Sequence, residues 1–256
     1  MKFNLHTHTP RCRHAIGSER EYIEFAIASG IETLGFSDHA PMPFHNGYYS
    51  TMRMFPEETV GYFETLLQLR EEYKDRIRIL IGFEAEYYPH IFDEFLAYIR
   101  KFPVEYLILG QHFLFDEVGS PYVARECDRE DYLTAYVRQC CDGMKRGVFT
   151  YLAHPDVFHF TGSDNFYDTQ MRLICETAKE TNTPLEINLL GADEKRAYPR
   201  ERFWRIAGEV GNIAILGYDA HKPKSLSCDE TEAACRAMAA RCGVPILDSL
   251  PLRPVR

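Results

Sequence analysis

Apolar residues in this chain gather in short runs, each closed by a polar cluster. The runs lie at 2–6, 32–37, 77–83, 106–110, 149–153, 184–188 and 213–217. They are strand-sized and rich in β-branched and aromatic residues, so they predict seven buried strands. Between most of them the apolar spacing switches to three and four. Tyr22, Ile23, Ala26 and Ile27 mark a helix over 19–30, and Val60, Phe63, Leu66 and Leu67 mark one over 56–73. Leu133, Tyr136, Val137, Cys140 and Met144 mark a third over 131–147, and 169–181 and 201–211 read the same way. Ser18 three residues before Glu21 predicts a capping box, and Gly30, Gly147 and Gly211 stand where helix C-caps belong. Strand–helix alternation throughout predicts an α/β fold with a mostly parallel sheet. No Gly/Ser-rich linker and no shift in composition divides the chain, so residues 1–256 are expected to form a single domain. A (β/α) barrel with loop insertions suits the length of each unit, and an open doubly wound sheet satisfies the same alternation.

Composition narrows the class. Of 256 residues, 45% are hydrophobic and 26% charged, which excludes a disordered chain. Lys and Arg number 29 against 38 Asp and Glu, a formal charge of −9 with His neutral. That balance argues against a nucleic-acid surface, which needs clustered cations. No stretch reaches the ~18 apolar residues of a spanning helix, and the N-terminus lacks an export signal. No membrane association is therefore expected, and the cytoplasm is the expected compartment. The eight cysteines are scattered without a C-x-x-C pair, as reduced structural thiols would be.

The chemistry sits in the histidines. Seven of ten follow predicted strands: His6, His8 and His14 after the first, His39 after the second, His112 after the fourth, His154 after the fifth and His221 after the seventh. The third strand ends in Glu84-Ala85-Glu86 instead. In a parallel barrel all these ends open on one face. The i, i+2 pairs His6/His8 and Asp219/His221 each point to one side of an extended segment. Imidazoles and carboxylates converging without thiolates suit Zn, Mn, Fe or Co. His45, His90 and His159 fall off the pattern and read as surface or structural residues.

These residues resemble the polymerase-and-histidinol-phosphatase (PHP) superfamily, and in particular its histidinol-phosphate phosphatase branch. The resemblance is carried by His6-Thr7-His8-Thr9, Cys12-Arg13-His14-Ala15, Phe36-Ser37-Asp38-His39-Ala40-Pro41 and Gly82-Phe83-Glu84-Ala85-Glu86-Tyr87. It continues through Gly110-Gln111-His112, Ala153-His154-Pro155-Asp156, Glu186-Ile187-Asn188 and Gly217-Tyr218-Asp219-Ala220-His221. It implies a distorted (β/α)7 barrel with two or three divalent transition-metal ions (Zn, Mn or Fe) at the C-terminal ends of the strands. His6, His8, Glu84 and Asp219 would hold one ion. Glu84 would bridge to a second held by His112 and His154. His14, His39 and His221 would hold a third.

The resemblance also implies a phosphomonoesterase that hydrolyses L-histidinol phosphate to L-histidinol and phosphate in histidine biosynthesis. A hydroxide held by the metals would be the nucleophile, and Asp219, His221 or a metal-bound water could protonate the leaving group. Two departures bear on the substrate. No Arg or Lys stands in Val157-Phe158-His159-Phe160, where the branch carries a basic residue. The turn after strand six reads Asn188-Leu189-Leu190-Gly191, while Lys195-Arg196-Ala197-Tyr198-Pro199 is kept, so Arg196, with Lys195 beside it, is the candidate phosphate clamp. Glu86, Asp116 and Asp156 are the candidate acids for the substrate amine. The insertion at 41–54, with Tyr48, Tyr49 and Arg53, is expected to line the mouth as a lid. Other readings stay open: a different small phosphate ester (sugar phosphate, nucleotide or phosphotyrosine), an amidohydrolase-type enzyme, or a catalytically silent metal-binding interaction module.

Overall fold

A computed structural model describes residues 1–45 and 47–255, so Asn46 of the 41–54 insertion and Arg256 lie outside the described residues. Seven strands alternate with helices as the apolar periodicity requires: β1 Phe3–Asn4, β2 Thr33–Phe36, β3 Arg78–Ala85, β4 Tyr106–Leu109, β5 Phe149–Leu152, β6 Leu185–Asn188 and β7 Ala214–Gly217. An eighth, β8 Ile246–Leu247, pairs with β7. All pairings are parallel and follow chain order. The barrel seam closes above β1, where Ala220 N donates to His6 O (3.2 Å) and His8 N donates to Ala220 O (3.0 Å). This bridge between Thr7 and Ala220, just past β1 and β7, curls the sheet round on itself as in a distorted barrel rather than an open doubly wound sheet. The eighth strand, two residues long, is too short to leave a periodic trace.

The helices are α1 Glu19–Ala28, α2 Thr59–Tyr73, α3 Phe92–Ile99, α4 Glu130–Lys145, α5 Asp164–Glu180, α6 Leu189–Asp193, α7 Glu201–Val210 and α8 Asp229–Cys242. The Ser18–Glu21 capping box is present, and Gly211 ends α7 in the left-handed conformation (φ 82°). The 169–181 prediction began late: Ser163 caps α5, its hydroxyl accepting from Phe166 N, so the helix starts five residues earlier. The sequence pattern does not predict α3, α6 or α8, and α6 stands where the sequence reads as a turn. α8 is alanine-rich, and only Cys235, Met238 and Ala239 are buried, which leaves no wide apolar stripe. Among the described residues no helix is long and apolar enough to cross a membrane. All eight cysteines are free.

Alternation along β3 organises the interior. Ile79, Ile81, Phe83 and Ala85 face the helices and join the main core. Leu80 faces inward, where it packs with Phe3, Leu5, Tyr106, Ile108, Tyr151, Ala153 and Ile215. Leu247, Leu250 and Leu252 pack against this inner cluster. Gly82 and Glu84 follow Leu80 on the same face, so that face runs from apolar at one end to charged at the other.

Candidate metal centre at the barrel mouth

The β1–β7 seam lays His6 and His8 beside Asp219. Asp219 Oδ1 is 3.4 Å from His6 Nε2 and 3.1 Å from His8 Nε2. Glu84 divides its two oxygens. Oε1 faces His154 Nε2 (2.9 Å) and His112 Nε2 (3.4 Å), and Oε2 faces His39 Nδ1 (3.0 Å) and the Nε2 atoms of His6 and His8 (3.5 Å each). His14, His39 and His221 offer ligand atoms all within 4.8 Å of one another, and His8 and His221 stack with ring centroids 4.0 Å apart. The fold therefore gathers all nine sequence-predicted ligand positions at one end.

Local backbone serves this convergence. His154 (φ 29°) and Asp219 (φ 51°) are left-handed non-glycine residues, the kind of backbone strain that clusters at functional sites. Gly110 and Gly217 make room for buried acids. A Cβ at Gly110 would collide with Glu84 Oε1, and one at Gly217 with Glu186 Oε1.

Several ligand rings are held from behind. Glu186 Oε1 lies 2.7 Å from His6 Nδ1, and Glu86 Oε1 lies 3.1 Å from His112 Nδ1. Backbone oxygens of Cys12 and Asp219 accept from His14 Nδ1 (2.7 Å) and His221 Nδ1 (2.9 Å). Each contact turns the opposite ring nitrogen toward the centre, as partners of metal-ligating histidines do. Asp38 is looser toward His8 Nδ1 (3.5 Å) and is held instead by Thr9 Oγ1 and His39 N. Sequence reasoning assigned no role to Glu186. Its signal was parity with Asn188 on β6, which places both on the inner face.

Burial and charge oppose each other here. Burial raises the Glu84 carboxyl, but the imidazoles of His112, His39 and His6 more than reverse it, leaving it well below the ordinary range. Asp219 behaves alike through His6, His221 and His8. Burial pushes His39 down to about 3, so its ring is neutral and free to ligate. For His6 burial is outweighed by Glu186, Asp219 and Glu84, which hold a proton on the ring. A divalent ion would displace such a proton.

A metal fits this donor set. His6 Nε2, His8 Nε2, His39 Nδ1, His221 Nε2 and Glu84 Oε2 are buried and have no hydrogen-bond partner. Buried polar atoms are rarely left so, and they fall into overlapping groups, such as His8, His39 and Glu84, or His14, His39 and His221, whose ligand atoms lie within 4.8 Å of one another. The adjoining cleft, about 260 Å³, is lined by His14, His39, His112, His154, Asp219 and His221, with Met52, Tyr122, Leu190, Glu194, Arg196 and Tyr198.

Arg196 reaches this cleft, braced by Glu194 (2.7 Å) and the Tyr198 hydroxyl (3.0 Å). Lys195 is exposed with φ 53° and does not line it. Other expectations are corrected. Glu86 is no acceptor for a substrate amine, because Arg53 grips both its oxygens (2.8 and 2.9 Å) and His112 takes the rest. Asp156 is buried, accepting from Arg200 N (2.5 Å), and burial pushes its carboxyl up to about 7. Asp116 lies 3.5 Å from His90 near the surface. Among the described residues of the 41–54 insertion only Met52 lines the cleft; Tyr48 and Arg53 turn inward to Glu117, and Tyr49 is 62% exposed. His45 pairs with Glu94 at the surface, as its position off the pattern implied.

Fold and donor set together define an α/β barrel with a candidate metal centre at the strand ends. A family model described as the PHP domain matches residues 4–189, and the chain belongs to that family. It is 28% identical over 227 residues to a probable histidinol-phosphatase of Deinococcus radiodurans, covering 85% of each chain. It is 24% identical to a probable histidinol-phosphatase of Schizosaccharomyces pombe, covering 96% of this chain and 89% of that one. The fold matches the crystal structure of histidinol phosphate phosphatase from Lactococcus lactis complexed with zinc, L-histidinol and phosphate, with a TM-score of 0.74 at 22% identity. The match covers 96% of this chain and 95% of that one.

Proposed function

We propose that this chain is a metal-dependent phosphomonoesterase that hydrolyses L-histidinol phosphate to L-histidinol and phosphate. The carrying observation is Glu84, whose two oxygens face two different histidine groups and so suit a carboxylate shared between ions. His6, His8, Glu84 and Asp219 form one ligand set, Glu84, His112 and His154 a second, and His14, His39 and His221 a third. Two or three Zn, Mn or Fe ions fit these sets. Divalent ions there supply Lewis acidity and a nucleophile at neutral pH.

The side chains supply the rest. Arg196 donates to equatorial phosphate oxygens from the cleft wall, exchanging part of its contact with Glu194 for the substrate. Lys195 has no part in this, because it lies off the cleft. Asp219 Oδ2, held by Asn188 Nδ2 (3.1 Å), is positioned to relay the proton the leaving alkoxide needs, whereas the His221 ring, with Nδ1 donating to Asp219 O and Nε2 turned to the ligand set, has no nitrogen free to carry it. The names of the curated relatives support histidinol phosphate as substrate. The whole chain acts as one catalytic domain, since one apolar core cluster runs from Tyr22 to Val255. Eight free thiols suit a reducing cytoplasm, and a charge of −9 suits a small phosphorylated substrate rather than nucleic acid as the partner.

One observation favours a second reading, a PHP phosphoesterase for another small ester. Val157, Phe158 and Phe160 are buried, so that segment brings no cation to the cleft. The deciding experiment measures phosphate release from histidinol phosphate, p-nitrophenyl phosphate and sugar phosphates on one preparation with Zn, Mn or Fe. Histidinol phosphate should give the highest kcat/KM. Parity with p-nitrophenyl phosphate would leave phosphoester hydrolysis standing and remove the histidinol assignment.

A further inference from the structure

We infer that Arg53 is a positioning residue for the metal centre. It acts on His112 through Glu86 and so ties the segment at 47–54 to the affinity of one metal site. This rests on the reading of His112 as a ligand.

The geometry is a relay of fixed contacts. Arg53 is 1% exposed. Its Nη1 donates to Glu86 Oε2 (2.9 Å) and its Nη2 to Glu86 Oε1 (2.8 Å), a two-pronged grip that sets the plane of the carboxylate. The same Oε1 accepts from His112 Nδ1 at 3.1 Å, which sends His112 Nε2 toward Glu84. The guanidinium has a second hold. Its Nε donates to Glu117 Oε2 (2.6 Å), and Glu117 also accepts from the Tyr48 hydroxyl (2.9 Å) and from Ser50 Oγ. Nη1 further reaches Ala40 O (3.2 Å), the residue after His39.

The other acids behind the ligand rings are held differently. Glu186 accepts from His154 N and Asn188 Nδ2, and Asp38 from Thr9 Oγ1 and His39 N. Those donors are neutral. Glu86 is gripped by a buried cation that belongs to a loop, and the residue before it in that loop, Met52, lines the cleft. Removing the guanidinium would leave two buried carboxylates without their counter-charge, and Glu86 would lose the orientation His112 depends on. Because coupling between two sites is reciprocal, metal in the centre should steady the segment, and an undocked segment should weaken the metal.

The test titrates purified full-length protein with zinc against a chromophoric chelator, for the wild type, Arg53→Lys, Glu86→Gln and Glu84→Gln. Hydrogen exchange across 47–54 is measured with and without zinc. Arg53→Lys keeps charge and loses the fork; Glu86→Gln keeps shape and the Arg53–Glu117 contact. Both should weaken one zinc equivalent about 10- to 100-fold, the scale of a partner behind a metal ligand, and leave the remaining equivalents unchanged. Zinc should slow exchange across 47–54 in the wild type and do so less in Glu86→Gln. Wild-type zinc affinity in both variants, even with a lowered Tm, would overturn the inference and leave Arg53 a purely structural residue. Glu84→Gln separates the two readings. If it too leaves zinc binding unchanged, the metal reading of the site fails; if it alone weakens binding, only the Arg53 relay fails.

Discussion

The two halves of the barrel interior use the same alternate strand positions for opposite ends. At the floor, Leu5, Leu80, Tyr106, Ile108, Tyr151 and Ile215 fill the bore, and the Tyr106 hydroxyl spends itself on Leu5 O (2.8 Å). At the mouth, Glu84, Glu186, Asn188 and Asp219 occupy the inward positions, ringed by histidines. Both halves are buried. Burial stabilises the floor through apolar area, whereas at the mouth it removes charged groups from water and leaves five ligand atoms without a partner. The floor holds the fold; the mouth draws on that stability for reactivity, and its debt is one that a bound cation settles.

The sharpest way to break this contrast is to remove metal. Exhaustive chelation should abolish phosphatase activity and lower the Tm, with elemental analysis of untreated protein giving two or three ions per chain. Full activity with well below one equivalent would end the metal reading. Next in size, Glu84→Gln should cost at least ~100-fold in turnover, the upper end for a ligation-shell loss, and more than Glu86→Gln in the same steady-state assay. Arg196→Ala should lower kcat/KM for any phosphomonoester about 10- to 1000-fold, roughly 1.4–4 kcal/mol of charge-assisted bonding. Its metal content should match the wild type. The smallest effect on activity belongs to the floor. Leu80→Ala or Ile108→Ala should cost about 2–5 kcal/mol in denaturant unfolding, yet leave metal stoichiometry and kcat near wild type below the new transition. A floor variant that loses metal would show that the halves are not separable.

What the sequence disclosed follows the same division. The seven main strands were legible because strand periodicity is local, and the convergence of seven histidines because residues at strand ends are conspicuous; the choice of nine ligand positions and their division into sets rested on the resemblance to the PHP family and is part of the proposal. α8 was hidden by its alanines, which are apolar without marking a face, and β8 by its brevity. The fate of Glu86 and Asp156 was illegible for another reason. An acid near a strand end reads as accessible until one knows that Arg53, from another loop, closes on the first and Arg200 N on the second. Such partners lie far away in sequence and have no periodic signature. Arg53 shows the limit well: its loop is expected to line the mouth as a lid, yet the Arg53 side chain is buried against Glu86 and Glu117.

The seam between β1 and β7 bears on how the molecule comes to be. The Ala220 hydrogen bonds that bring His6 and His8 against Asp219 and His221 join segments almost a full chain length apart. Contacts of such long range are slow to form, since a large loop must close first. The nucleus for folding would then lie in neighbouring strand–helix units, with the ion cage assembled late. Interactions absent from the transition state govern the rate of escape from the native state rather than the rate of reaching it. Stopped-flow refolding should therefore run at nearly the same speed with or without zinc, while unfolding slows when the ion is bound. A bound cation would thus act as a latch on a finished barrel, not as a template for building it.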